Sequence, residues 1–167
     1  EGTLLASYSR GMRLTREAGG VITTVIDDSM QRAPVFVFEN ARHARDLGRW
    51  VEENFAAIKA SAEETTNSGK LVKIEQYSMG KMRWLRFNYT TGDAAGQNMT
   101  GKATHAACEW IHATHPSRPK YMLSGSIDTD KKHSAINTLR TRGRRVVAEA
   151  VIKNEVLERL MRVDTKT

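Results

Sequence analysis

Leu4, Leu5, Tyr8, Met12 and Thr15 return every three or four residues, which predicts an amphipathic helix that Gly19-Gly20 brings to a stop. The period then shortens. Val21-Ile22-Thr23-Thr24-Val25-Ile26 is a β-branched run and reads as a strand, and Pro34-Val35-Phe36-Val37-Phe38 reads as a second. Asn40 suits the cap of the next helix, one face of which carries Leu47, Val51, Phe55 and Ile58. Asn67-Ser68-Gly69 breaks the chain before two strand-like segments, Lys70 to Tyr77 and Met82 to Tyr89, joined by a short turn containing Gly80. From about Gln97 to His112 the spacing is helical again and stacks Met99, Ala103, Ala106 and Trp110 on one side. Pro116 and Pro119 bound that helix, and Tyr121 to Leu123 is the next strand. Val146, Val147, Ala148, Ala150, Val151 and Ile152 predict a last strand, and Val156, Leu157, Leu160 and Met161 a closing helix.

From Pro34 onward the predicted order is β-α-β-β-α-β, the ferredoxin-like pattern. The expected fold class is therefore α+β. A ferredoxin-like unit over residues 34–123 is inserted into part of a larger α/β domain built from 1–33 and 124–167. The sequence carries no internal repeat and no low-complexity tract.

At 167 residues, 40% hydrophobic and 27% charged, the chain has the make-up of one soluble globular domain with a sizeable core. No apolar run approaches the roughly 18 residues of a membrane span, and no signal peptide is legible. A first residue that is not methionine leaves an upstream anchor or domain open. Lysine and arginine number 26 against 19 acids, a net charge of +7 that favours anionic partners. Nucleic acid is one class of polyanion; coenzyme A and a phosphorylated nicotinamide cofactor are others. A single cysteine, Cys108, excludes an intrachain disulfide and suits a reducing, cytoplasmic setting. Its flanks, Ala106-Ala107 and Trp110-Ile111, read as helix core rather than a reactive thiol.

Arg140, Arg142, Arg144 and Arg145 form the best nucleic-acid candidate, and Trp84, Phe87 and Tyr89 on adjacent strands imitate an RNA-recognition sheet. The aromatic consensus of such sheets is missing, so no nucleic-acid partner is expected. Of His43, His105, His112, His115 and His133, the pair His112 and His115 lies three apart near a helix end. That spacing permits a metal but more simply offsets the negative helix terminus, and no metal is expected.

Two segments carry chemistry. Asp130-Lys131-Lys132 follows an apolar run and the flexible Ser124-Gly125-Ser126. Adjacent ammonium groups repel, so such a pair makes sense where anionic groups arrive, with Asp130 orienting one lysine and holding it charged. A site of that kind polarises a carbonyl and stabilises the oxyanion that forms. The second segment, Gly92-Asp93-Ala94-Ala95-Gly96-Gln97-Asn98-Met99, is a glycine-bearing strand-to-helix turn and not the dinucleotide fingerprint G-x-G-x-x-G. Free N–H groups at its helix start can hold pyrophosphate. Asp93 opposes a polyanion, so it either caps the helix or meets a ribose or carboxamide.

Glu1-Gly2-Thr3-Leu4-Leu5-Ala6-Ser7, Thr91 to Met99, Asp130-Lys131-Lys132 and Arg142 to Ile152 occur in that order, and together they resemble the 3-hydroxy-3-methylglutaryl-coenzyme A (HMG-CoA) reductases, in their biosynthetic, NADPH-preferring branch. The resemblance extends over essentially the whole sequence, weakest between Asn40 and Ser78, and reads as an internal part of the family's sequence. It implies reduction of HMG-CoA to mevalonate and free coenzyme A by two NADPH, through mevaldyl-coenzyme A and mevaldehyde. It also implies a small cofactor domain within a large substrate domain, and a homo-oligomer, dimer or tetramer, with the active site between subunits.

By resemblance, Lys131 is the catalytic lysine at the thioester carbonyl, and Glu1 is the catalytic glutamate that supplies a proton. Asp130, Lys132, Ser124 and Arg32 are implied around the hydroxymethylglutaryl carboxylate and hydroxyl. Asp93, Gly96, Gln97, Asn98 and Met99 are implied at the nicotinamide cofactor. NADPH-using relatives often carry an arginine facing the adenosine 2′-phosphate where this chain has Asn67; Lys70 stands in as a point charge without the bidentate fork. The family's catalytic aspartate and histidine match nothing in this sequence. The alternative reading is a catalytically inert ferredoxin-like module that binds cofactor or nucleic acid.

Overall fold

The computed structural model describes residues 1–129, 133–140 and 142–166. Their order of elements is α1 (Gly2–Glu17), β1 (Ile22–Arg32), β2 (Val35–Val37), α2 (Ala41–Glu53), α3 (Phe55–Glu63), β3 (Lys70–Met79), β4 (Met82–Thr90), α4 (Gln97–Thr114), β5 (Lys120–Met122), α5 (Ala135–Leu139), β6 (Gly143–Glu149) and α6 (Asn154–Met161). The chain divides into two compact units, Glu1–Ile26 with Val146–Thr167, and Asp27–Arg145. Residues 27–33 and 124–145, which the sequence reading grouped with the flanking segments, belong to the second unit in this division.

The smaller unit pairs α1 with α6, and Glu17 accepts from both Arg13 and Arg159. Leu14 is the one buried apolar side chain among its described residues, while Leu4, Leu5, Tyr8 and Met12 are exposed. The apolar stripe read from the sequence exists, therefore, and most of it stays open to solvent.

In the larger unit β4 is the organising strand. β3 pairs antiparallel along the length of β4, with a register shift between Leu71 and Lys73. On β4's other edge β1 and β2 lie end to end, Arg32 opposite Phe87 and Val35 opposite Trp84. Pro34 lacks an N–H and interrupts that edge, and its carbonyl accepts from Leu85 N at 3.0 Å to bridge the gap. β5 extends the sheet beyond β2, and β6 pairs β1.

Alternation along β4 decides the two faces. Leu85, Phe87 and Tyr89 join Phe36, Leu47, Val51, Ile58, Ala107, Cys108 and Ile111 in one apolar core under α2, α3 and α4. Trp84, Arg86 and Asn88 point to the opposite face and are also buried.

Three local expectations are corrected. The single helix after Asn40 is two, α2 and α3: the Asn54 side chain donates to the Trp50 carbonyl at 2.8 Å, competing with the helical ladder. Asn40 does cap the first, accepting from His43 N at 3.0 Å. The buried face of α4 is Thr100, Ala103, Thr104, Ala107, Cys108 and Ile111, rotated from the predicted stack of Met99, Ala103, Ala106 and Trp110. Two threonines fit there because their hydroxyls find partners: Thr104 meets Tyr89 Oη at 3.1 Å, and Thr100 donates to Gln97 O at 2.9 Å. His115, expected as a cation at a helix end, packs edge-on against Trp50 with ring centroids 5.0 Å apart, and burial lowers its pKa. No helix of the described residues is long and apolar enough to cross a membrane.

Candidate functional site

The glycine turn ahead of α4 is built for close approach. Gly96 caps α4 at φ +77°, and a Cβ there would stand 2.4 Å from Thr91 Cγ2. No side chain caps this helix, so the first N–H groups of α4 have no capping partner and Asp93, exposed in the loop, is not the cap. Gln97 and Asn98 are exposed at the helix start. Met99 lies across Gly69, where an added Cβ would come within 2.4 Å of its sulfur. The Asn67–Gly69 turn is thereby brought against the first turn of α4. Thr66 Oγ1 shapes that turn by accepting from the N–H groups of Ser68 and Gly69. Lys70, next along, is paired with Glu63 at 3.3 Å. Burial raises the Glu63 carboxyl, but the Leu71 N–H and the charges of Lys70 and Lys59 together outweigh it and hold it below its ordinary value.

On β1, Asp28, Met30 and Arg32 alternate onto the face toward α4, since Met30 and Arg32 stand opposite the core residues Tyr89 and Phe87. Asp28 and Met30 line a cavity of about 230 Å³ together with the 91–95 loop and Arg144. Arg144 grips Asp28 through Nε at 2.8 Å and Nη2 at 2.7 Å.

Arg32 ends the row. Its Nη1 donates to Asp128 Oδ2 at 3.0 Å, and Ser124 Oγ donates to the same oxygen at 2.8 Å. Its Nη2 faces Gly101 of α4, 3.7 Å from where a Cβ would sit. The loop bearing Ser124 and Asp128 is pinned at Gly125, whose N–H donates to Ala33 O at 2.8 Å and whose carbonyl accepts from Trp84 Nε1 at 2.6 Å. A Cβ at Gly125 would collide with that indole at 2.6 Å.

Within the larger unit the fold thus brings together Arg32 and Ser124, and sets Arg32 one helical turn from the Gly96–Met99 turn with Asn67 beside it. Glu1 belongs to the other unit, exposed at the start of α1 with no capping bond. Asp130, Lys131 and Lys132 lie outside the described residues.

The model for the hydroxymethylglutaryl-coenzyme A reductase family matches residues 1–167. The chain belongs to that family. It is 40% identical over 163 residues to the 3-hydroxy-3-methylglutaryl-coenzyme A reductase of Pyrococcus horikoshii, covering 97% of this chain and 40% of that protein. The reductase of Haloferax volcanii is 44% identical over 158 residues, covering 95% and 39%. The chain spans about 40% of the length of these curated relatives. A class II reductase from Streptococcus pneumoniae, solved bound to NADPH in open conformations, superposes on 95% of the chain and 41% of its own, with a TM-score of 0.69 at 15% identity. A second structure of the reductase from that organism gives 0.71 at 18%. The mixed α and β architecture with its antiparallel sheet is therefore that of HMG-CoA reductases.

Against this family background, Asp128 is the residue that sequence reasoning missed. It lies four residues after Ser124 and two before Asp130, and only the fold shows that its carboxylate meets an arginine 96 positions away. Also missed was a buried cluster on the far face of the sheet, where Arg86 Nη1 donates to Glu75 at 2.6 Å and Asn88 to the same carboxylate oxygen at 3.3 Å. Burial raises the Glu75 carboxyl, but Arg86, by hydrogen bond and charge, with Asn88 and Lys73, outweighs it and holds the pKa below the ordinary value.

The features once weighed for nucleic acid are committed elsewhere in the reductase fold. Trp84, Phe87 and Tyr89 are buried and offer no stacking platform. Arg140 meets Glu75, Arg142 donates to Met30 sulfur, Arg144 holds Asp28, and Arg145 donates to the carbonyls of Thr138 and Leu139. Cys108 is fully buried and burial pushes its thiol pKa well up, so it is packing rather than a nucleophile. Among the described residues no His, Cys, Asp and Glu group has the geometry to hold a metal.

Proposed function

We propose that the full-length protein carrying this chain reduces HMG-CoA to mevalonate and coenzyme A with two NADPH, as its family membership and the arrangement around α4 support. One observation carries the reading. A single helix opens on the uncapped Gly96 turn and, at Gly101, meets the guanidinium of Arg32. An anion-binding helix start and a carboxylate-reading arginine are thereby set about one turn apart. The strand order β5-β2-β4-β3 with helices at both crossovers is what a ferredoxin-like cofactor unit would show.

The residues present suit the cofactor. Uncapped N–H groups at Gln97, Asn98 and Met99 favour pyrophosphate, and Gly69 and Gly96 let the Met99 and Thr91 side chains pack close against the turn. Asp93 is proposed at a ribose or carboxamide, with Asn67 and Lys70 at the 2′-phosphate. When bound, NADPH supplies hydride. Each hydride addition leaves negative charge on oxygen, and Lys131 is proposed as the cation that meets it, with Glu1 giving a proton. Arg32 and Ser124, with Asp130 and Lys132, would hold the acyl carboxylate and hydroxyl. Assembly as a homo-oligomer and a cytoplasmic setting belong to the same proposal.

The test is loss of absorbance at 340 nm when HMG-CoA is added to the full-length protein with NADPH, with mevalonate identified by mass spectrometry. A folded, full-length protein that consumes no cofactor in the presence of substrate would overturn the reading.

A further inference from the structure

Arg32 is held by one corner, and along one edge it carries a donor without a partner among the described residues. A guanidinium offers a carboxylate two paired edges, Nη1 with Nη2 at its tip and Nε with Nη2 at its side. Asp128 takes a single bond from Nη1. Nε is buried and has no hydrogen-bond partner among the described residues. A buried donor without a partner is costly, and marks a place where a ligand or water belongs. Nη2 faces Gly101, so α4 presents no side chain at that position.

The corner that is held is held firmly. Asp128 is 3% exposed, and the oxygen that Arg32 uses also receives Ser124 Oγ. The loop between them is fixed to Ala33 and Trp84 through Gly125. After Asp128, Thr129 sits at φ +59°, a costly conformation for a β-branched residue, and its carbonyl accepts from Asn137 Nδ2 at 3.2 Å. Strain of that kind persists where the surroundings dictate the geometry, and here it lies directly after the acid that Arg32 meets.

We infer that Asp128 is a positioning residue for substrate recognition: it anchors Arg32 through Nη1 so that the Nε–Nη2 edge meets the free carboxylate of an acyl thioester side-on. This rests on the reading of Arg32 as a contact for the substrate carboxylate. The opposite role, in which Asp128 competes with the substrate for Arg32, predicts changes of opposite sign.

The experiment compares two thioesters in the full-length protein, HMG-CoA and an analogue in which a carboxamide replaces the free carboxylate. Asp128→Ala is expected to raise KM for HMG-CoA on the order of ten- to a hundredfold, the size of a charge-assisted hydrogen bond, with a smaller change in kcat. KM for the carboxamide analogue should be the same in wild type and variant, because the lost interaction is with the carboxylate. Asp128→Asn, which keeps an acceptor oxygen, should shift HMG-CoA in the same direction by less, and it serves if Asp128→Ala fails to fold. Equal weakening toward both thioesters would show a loosened loop and overturn the inference. So would a KM for HMG-CoA that falls or stays at the wild-type value, while wild-type turnover leaves the reductase reading standing. A wild-type protein with no turnover overturns both.

Discussion

Two arginines of the larger unit each meet a carboxylate, and the two clusters are finished differently. Arg86 is 1% exposed, and its Glu75 partner is also approached by Asn88, Arg140 and Lys73. That pair closes on itself: the carboxylate is saturated by its own chain, on the sheet face away from α4. The Arg32 side chain is 19% exposed, and its Asp128 partner receives one further donor, from Ser124. Burial of an ion pair is thus a poor guide to function by itself. The informative sign is a guanidinium left partly exposed beside a carboxylate that few other groups approach.

The comparison can be broken at its strong end first. Removing one partner of a buried pair strands a charge, so Arg86→Met alone is expected to cost about 3–5 kcal/mol, read from chemical denaturation. Arg86→Met with Glu75→Leu should recover most of that loss. A single variant within about 1 kcal/mol of wild type would mean that the cluster is not what holds this face.

At the open end the effect should move from stability to binding. Arg32→Lys keeps the charge but loses the planar fork, and is expected to weaken HMG-CoA binding on the order of tenfold while shifting stability far less than Arg86→Met. Kinetics and a thermal melt on one preparation separate the two. A large melting shift with unchanged KM would place Arg32 with Arg86 as structural.

The third test is pH. The folded-state pKa of Glu75 lies below its unfolded value, so its stabilising contribution is complete above the unfolded carboxylate pKa, near 4.3, and is lost as pH falls through the folded one. Wild type should therefore lose stability more steeply than Glu75→Gln as pH drops below about 4.3. Parallel curves would show that Glu75 is not the responsible group.

The smallest effect belongs to the exposed Lys70–Glu63 pair, which sets the floor of the comparison. Lys70→Ala should leave the melting temperature unmoved and raise KM for NADPH by a few-fold, with no change for NADH. An equal shift for both cofactors would remove Lys70 from the 2′-phosphate.

Legibility followed the range of the interactions. Strands β3 and β4 and the start of α4 at Gln97 could be read from alternation, helical spacing and a glycine turn, because each is set by neighbours within a few residues. The break at Asn54 was missed since it depends on one side-chain bond rather than on periodicity. The buried face of α4 was misjudged because threonine reads as polar until Tyr89 supplies its partner. β1 runs to Arg32, beyond the β-branched run that signalled it, because pairing with β4 sustains residues without strand propensity of their own.

From the sequence alone came the family, through motifs in their order, along with most of the elements and the residue types able to meet a thioester and a polyanionic cofactor. Tertiary structure decided which of those residues share a site. It set Arg32 beside α4, delivered Asp128 and Ser124 to it, and sent Arg86 to the other face. Alternation along a strand says only that neighbouring side chains part company; which face becomes a core and which meets a ligand depends on what packs there, and that is fixed by contacts across the chain.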